Sequence, residues 1–468
     1  MFRLGDGMTT QFFLTNSIGD GIRMDLALTD SGYIAAGVTV ASANNVGALL
    51  TGSNQRVDVL GSLYGTTGLR AFNATTPADV AISVHAGGTV TGNSFGIYAY
   101  ANNLSIFNAG VISANNTGVN ASGDSVRLVN TGLIEAHRAS GRAVEIYSDT
   151  DAEGSEAQFI NHGTVTAAGY AYLGDYNFAD RLYNYGVMLG HVDQSGGDDL
   201  LVNRGQVTGT VLTGTGNDIL RNLGGVIDGD VDLGAGDDFL TTRSGEISGT
   251  VTCGEGDDTV IGNALVSETF DGGGGTDTVD FRFGGAVTLA LDGSFENDGA
   301  ALGDSYTGFE RVTGSARADM IRGNAGANVL TGLDGADTLD GAAGADLLNG
   351  GRGADVLTGG LGNDTFRYMS LDDFGDEITD FHNGAGDNDR FQFSASGLGG
   401  GLVAGALAAS AFISRADNVA QDANDRFIFR TTDRSLWYDA DGSGAGAAVM
   451  VADLQAGITL TSADIVLI

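Results

Sequence analysis

Six acidic or amide side chains recur at a fixed interval of nine residues: Asp319, Asn328, Asp337, Asp346, Asp355 and Asp364. Written from Gly314, the units are GSARADMIR, GNAGANVLT, GLDGADTLD, GAAGADLLN, GGRGADVLT and GGLGNDTFR, in register without a gap. Glycine opens every unit and, except at Arg317, also holds the fourth position, while the eighth carries Ile321, Leu330, Leu339, Leu348, Leu357 or Phe366. A flexible Gly-rich linker has no reason to keep an apolar residue at every eighth position, so the block has a fold. Glycines at positions one and four permit positive φ in a tight loop, which turns several carbonyl oxygens toward one point. A hard cation such as Ca²⁺ takes six to eight oxygens, and such carbonyls plus the carboxylate at position six suit it. The chemistry expected of the six residues is calcium ligation, with Gly351, Gly353, Gly360 and Gly362 shaping the two most complete turns.

Those turns require particular elements around them. Three residues of short strand follow each turn, with position eight pointing inward, and two units make one coil of eighteen residues. Opposite turns then stack into two rows, Asp319, Asp337 and Asp355 on one edge and Asn328, Asp346 and Asp364 on the other. Neighbours along a row lie about 4.8 Å apart, the spacing of paired strands, and a cation between successive turns relieves their repulsion. The pattern GGxGxDxUx, met most fully in GGRGADVLT and GGLGNDTFR, resembles the calcium nonapeptide of RTX proteins. That resemblance implies a parallel β-roll over 314–368.

The tail extends the resemblance to 314–468. FRYMSLDDFGDEITDF is similar to the segment that caps RTX rolls in type I secreted proteins, with Asp376, Asp380 and Phe381 in the D-x-I-x-D-F positions. SLWYDADGSGAGAAVMVADL and the final LTSADIVLI resemble the C-terminal region of haemolysin-type calcium proteins. This implies an uncleaved signal read by a type I exporter, in which Asp464 precedes Ile465 to Ile468. Asp439, Asp441 and Ser443 before Gly444 also match the first half of an EF-hand-type loop. Met450 stands where the closing acid belongs, which favours a strand-joining turn over a further calcium site.

A looser repeat precedes the roll. GGDDLL, GTGNDIL, GAGDDFL, GEGDDTV and GGTDTV place Asp199, Asp218, Asp238, Asp258 and Asp277 at intervals of 19, 20, 20 and 19, as single nonapeptide-like turns. Calcium ligation there competes with a merely solvated row of acids. Further upstream, FNAGVI, VNTGLI, INHGTV and YNYGVM put Asn108, Asn130, Asn161 and Asn184 at intervals of 22, 31 and 23, and the element continues at Asn203 and Asn222. Alternating apolar residues around these turns predict half-buried strands, and the variable period suits a β-helix with loops of differing length, its Asn side chains bonded along the axis. The expected architecture is all-β: a right-handed parallel β-helix, then a calcium-binding parallel β-roll and a C-terminal β-rich cap. The boundaries read as an N-terminal cap over 1–20, Asn-Gly β-helix over 21–195 and acidic-turn β-helix over 196–280. A β insert over 281–313, the roll over 314–368, and a cap with the secretion-signal region over 369–468 complete the chain.

Composition bounds the function. Arg supplies all 22 basic side chains, and Asp far outnumbers Glu among the 59 acids of a chain with net charge −37. An excess of Asp points to turns and metal rather than to a solvated surface, and such a field repels nucleic acid and anionic membranes. The single Cys253 excludes an intramolecular disulfide framework and Cys-based zinc sites. MFRLGDGMTTQFFLTN does not resemble a secretory signal, and no window reaches the roughly 18 apolar residues of a transmembrane helix. No HExxH occurs, and GNSFG around Ser94 sits among solenoid strands rather than in a strand-turn-helix elbow. The favoured function is non-catalytic: a secreted calcium-binding structural or adhesive protein of a surface layer, biofilm matrix or adhesin type, folding on extracellular Ca²⁺. Its partners are calcium ions, the exporter, and a cell-surface glycan or copies of itself. The rival is a β-helix enzyme, a lyase, hydrolase or epimerase of extracellular polysaccharide, for which Arg138 and Arg142 near His137 or paired solenoid carboxylates are the candidates.

Overall fold

The structure, a computed structural model, describes residues 2–3, 9–13, 15–21, 24–26, 31–52, 54–72, 79–148, 157–262, 266–384 and 386–468. It comprises two compact units, Met1–Asp258 and Thr259–Ile468, each built almost wholly of β-strands.

The first unit is a parallel solenoid. Its strands alternate buried and exposed residues, as in Asn103–Asn108, and each pairs in register with the strand one coil later. One inward file runs from Val57 through Ile82, Ile106, Leu128, Phe159, Leu182, Leu201 and Leu220 to Leu240. Each of these side chains is fully or almost fully buried, a contribution of about 1.5–3 kcal/mol apiece. A second file passes through Val90, Ile112, Ile134 and Val165, and a third through Ile97, Val119, Val144 and Tyr172, so the coil is walled by three strands.

The Asn-Gly turns fold as the sequence predicts. Asn108 donates its amide to Asn130 Oδ1 at 2.8 Å, Asn130 to Asn161 at 2.9 Å, and Asn161 to Asn184 at 2.9 Å. The file continues through Asn203 to Asn222 at 2.8 and 3.0 Å, and all six side chains are fully buried. Each amide satisfies its neighbour, so this edge needs no ligand. The N-terminal cap expected over 1–20 falls partly on residues outside those described; within it, Phe2–Arg3 pairs antiparallel with Thr9–Phe13, which pairs in parallel with Ser31–Ile34.

In the second unit, Val287–Ala290 pairs antiparallel with Asp298–Gly299 and in parallel with Met320–Arg322, the strand of the first nonapeptide. From there the coil length is 18 residues: Ile321 pairs with Leu339 and Leu339 with Leu357, while Leu330 pairs with Leu348. Position eight points inward at every unit, none of its side chains being more than 1% exposed. The Ile321 file runs on from Leu357 to Ile378 and Leu454, and the Leu330 file ends in aromatic packing. Phe366 registers with Phe391, and Phe391 stacks on Phe381 at 5.0 Å and on Phe393 at 5.8 Å. Antiparallel strands Phe427–Arg430, Ser435–Tyr438 and Val449–Leu454 follow, and Ile465–Leu467 returns to pair in parallel with Arg390–Phe393. The sole α-helix among the described residues is Ala395–Leu398.

Candidate calcium ladders

The roll brings its position-six side chains into the two expected rows. On one edge the Asp319 backbone N–H donates to Asp337 Oδ1 at 2.8 Å, and Asp337 N–H to Asp355 Oδ1 at 2.8 Å. On the other, Asn328 N–H donates to Asp346 Oδ1 at 2.7 Å, and Asp346 N–H to Asp364 Oδ1 at 2.8 Å. Each carboxylate thus has one oxygen fixed by the coil before it. The other oxygen of Asp337, Asp346, Asp355 and Asp364 is buried and has no hydrogen-bond partner. A buried carboxylate oxygen without a donor is costly, and a cation satisfies it and its charge together.

The turn glycines place those oxygens, in a way that corrects one expectation. Positive φ occurs at positions two and four, not one and four: Leu333, Ala342, Gly351 and Gly360 at 85°, 74°, 90° and 98°, and Gly335, Gly344, Gly353 and Gly362 at 156°, 136°, 152° and 142°. Position one is glycine for another reason. A Cβ at Gly332, Gly341, Gly350 or Gly359 lies 2.2, 2.4, 2.2 or 2.5 Å from the free Oδ2 of its own turn's carboxylate. The missing side chain is therefore the cradle of the oxygen offered to the metal.

Electrostatics give the same result. Burial, then the charges of Asp355, Asp319 and Asp334, push Asp337 up to about 7. Burial, then Asp364 and Asp340, push Asp346 to about 7, and Asp355 and Asp364 are raised chiefly by burial. Without metal the rows resist ionisation, because desolvation and like charges both disfavour the anion.

The ends of the rows differ from their middles. Asp319 is closed by protein: Ser315, in the place of the second-position residue, donates its N–H to Oδ2 at 2.6 Å and its hydroxyl to Oδ1 at 3.0 Å. Asn328 Oδ1 accepts the Asn324 N–H at 2.8 Å. At the far end Asp376 continues the first row, its Oδ1 accepting Asp355 N–H at 3.0 Å and its carboxyl facing the buried Tyr368 hydroxyl. Asp380 instead accepts the N–H groups of Gly359 and Gly360 at 2.8 and 2.7 Å, anchoring the last turn. Asp389, which sequence reasoning missed, closes the second row by accepting Asp364 N–H at 2.9 Å and His382 N–H at 2.7 Å. The repeated tetrapeptides NDTF and NDRF, 25 residues apart, were the available signal. Asp439 and Asp441 lie in the turn joining Ser435–Tyr438 to Val449–Leu454, where Asp441 N–H donates to Asp439 Oδ1 at 3.1 Å and Asp441 Oδ2 accepts Gly446 N–H at 3.0 Å.

Upstream, Asp199, Asp218, Asp238 and Asp258 form a single row on one edge of the first unit, and Asp180, also missed from sequence, heads it. In the second unit Asp277 N–H donates to Glu310 Oε2 at 2.9 Å. Ser94 lies within strand Thr89–Tyr100, and Arg142 forms an ion pair with Glu145.

Comparison with known proteins places the roll. The RTX calcium-binding nonapeptide repeat matches in four overlapping copies, at 306–339, 313–348, 331–366 and 340–374. Among curated proteins nothing matches. Among solved structures, the AlgE6R3 subunit from the Azotobacter vinelandii mannuronan C5-epimerase is similar at 31% identity over 32% of this chain and 78% of that chain, with a TM-score of 0.22.

Proposed function

We propose, from the premise that residues 306–374 are RTX calcium-binding nonapeptide repeats, that this chain is a secreted structural or adhesive protein whose roll folds on meeting extracellular calcium. The observation that carries the reading is the set of four buried carboxylate oxygens, on Asp337, Asp346, Asp355 and Asp364, that no protein donor satisfies. Where calcium is scarce these charges repel and hold the roll open. Where it is about millimolar, the ion binds the folded roll alone and draws the equilibrium by mass action, about 2.7 kcal/mol per site at a hundredfold excess over Kd. An open roll suits passage through a type I exporter. Ile465–Leu467, a paired strand in the folded unit, is accessible to an exporter only before folding.

The adhesive role is supported by the outer face of the first unit. Arg70 and Phe72 stand in register with Tyr98 and Tyr100. The Phe72 and Tyr100 rings stack at 5.6 Å, and the Arg70 guanidinium lies 5.7 Å from the Tyr98 ring centre. Flat aromatic faces beside a cation suit the apolar faces and acidic groups of a cell-surface polysaccharide.

Limited proteolysis of the full chain with an Arg-specific protease tests the switch. Arg317, Arg322, Arg352 and Arg367 are its marks within the roll. Cleavage there is expected in calcium-free buffer and resistance in about millimolar calcium. Equal resistance in both conditions overturns the reading.

A further inference from the structure

We propose that Asp180, Asp199, Asp218, Asp238 and Asp258 form a second calcium ladder, single-edged and built into the upstream solenoid, outside the residues matched as RTX repeats. The row is continuous within the first unit. Asp180 N–H donates to Asp199 Oδ1 at 2.6 Å, Asp199 N–H to Asp218 at 2.8 Å, Asp218 N–H to Asp238 at 2.7 Å, and Asp238 N–H to Asp258 at 2.7 Å. As in the roll, one oxygen of Asp199, Asp218 and Asp238 is fixed by the neighbouring coil and the other is left over, whereas Asp180 Oδ2 accepts the Asp175 N–H at 3.0 Å. Asp199 Oδ2, Asp218 Oδ2 and Asp238 Oδ2 are buried without a partner, on side chains no more than 2% exposed.

The turns supply the remaining donors. Gly214, Gly234 and Gly254 hold the second position of the nonapeptide pattern and Gly216, Gly236 and Gly256 the fourth, all at positive φ, between 102° and 132°. A Cβ at Gly216 falls 2.1 Å from the Gly197 carbonyl oxygen, and one at Gly236 falls 2.0 Å from that of Gly216. Carbonyl oxygens of successive turns therefore point along the axis into the next turn, as they do at Gly353, where a Cβ falls 1.6 Å from Gly335 O. Oxygen donors alone, in rows that a large flexible coordination sphere bridges, select Ca²⁺ over Zn²⁺ or the strictly octahedral, water-retaining Mg²⁺.

The head of the row adds an independent sign. Gln194 is fully buried with both its amide oxygen and nitrogen unpartnered. Its backbone runs beside the Asp180 turn: a Cβ at Gly174 falls 1.8 Å from Asp180 Oδ2 and 2.8 Å from the Gln194 backbone carbonyl oxygen. Buried polar groups in native proteins are satisfied. Cations on the row satisfy the leftover oxygens of Asp199, Asp218 and Asp238 together with their charge.

This ladder differs from the roll in its consequence. The opposite edge of the same coils is the Asn file through Asn184, Asn203 and Asn222, which is self-satisfied. Calcium here stiffens a solenoid that is already folded, whereas in the roll it decides folding. The two events are separable, and the claim stands without the roll's switch.

The test uses the full chain and its Asp218→Asn, Asp238→Asn double variant, which keeps both Oδ1 acceptors and removes two charges. Calcium is counted by competition with a chromophoric chelator, and amide exchange is followed at Leu220 and Leu240, with Leu339 and Leu348 as the roll reference. Wild type is expected to bind about two more ions than the variant, and its Leu220 and Leu240 amides to gain about tenfold protection with calcium while the variant's do not. The roll amides are expected to respond alike in both proteins. Equal ion counts, or wild-type Leu220 and Leu240 amides indifferent to calcium, overturn the proposal; the wild-type arm does not depend on the variant folding.

Discussion

Acid should replace calcium in folding the roll. In the metal-free protein Asp337, Asp346 and Asp389 are pushed up to about 7 and Asp376 to about 8, each first by burial. In the unfolded chain the same carboxyls titrate near 4. Between those values the folded state holds more protons than the unfolded one, so stability falls as pH rises. The contribution is fully present below about pH 4 and is lost as pH passes through about 7 to 8. A shift of about three units is about 4 kcal/mol per group, but these rims border solvent and screening reduces it to about 1 kcal/mol. Four such carboxyls give about 4 kcal/mol, comparable to the whole stability of a small domain. The assay is far-UV circular dichroism of the full chain in buffer stripped of calcium by a chelating resin, since chelators themselves lose affinity in acid. At pH 5.5 the β signal of the roll is expected to return without calcium, and at pH 7.5 to be absent. A metal-free roll equally folded, or equally unfolded, at both pH values refutes the argument from buried carboxylates.

Other perturbations have separate readouts. Asp355→Asn keeps the Oδ1 that accepts Asp337 N–H but removes a ligand charge, so the calcium midpoint of folding should rise about tenfold while the calcium-free protein is no less stable. Gly350→Ala puts a methyl 2.2 Å from Asp355 Oδ2 and should weaken calcium binding at least as much in the same titration. Leu333→Gly removes a side chain from a φ of 85° and should raise the thermal midpoint in saturating calcium, a gain of about 1 kcal/mol. Asn161→Ala removes one hydrogen bond each from the Asn130 amide and the Asn184 side-chain oxygen inside the first unit, costing about 2–3 kcal/mol in denaturant titration whether or not calcium is present. Tyr98→Ala with Tyr100→Ala should abolish retention on an acidic polysaccharide column, leaving calcium-dependent folding unchanged.

Much of this was legible because each repeat serves two roles at fixed spacing. Position eight must face inward and position six must face the turn, so Leu348 and Asp346 were assigned together. The coil of 18 residues, the two rows and the Asn file followed from period alone. What escaped were places where the repeat lapses while the geometry continues. Asp389 closes a row although Asp387 stands where its turn's fourth-position glycine belongs, and Asp180 heads another row without the Gly-x-Gly lead of Asp218 or Asp238. The role of the first glycine was also hidden. A Gly conserved in pattern suggests positive φ, but at Gly332 and Gly350 the constraint is a side-chain oxygen from five residues ahead, which only the folded turn reveals. Nor did sequence separate Asp319, closed by Ser315, from Asp337, which is open, since both occupy position six.

The central claim is that calcium makes the roll while the Asn-filed solenoid upstream stands without it. Amide hydrogen exchange of the full chain at pH 7.5, with and without calcium, tests it in one measurement. The account predicts that Leu330, Leu339, Leu348 and Leu357 are protected only when calcium is present, while Ile106, Leu128 and Leu182 are protected in both conditions. Equal protection of the four roll amides in calcium-free buffer contradicts it.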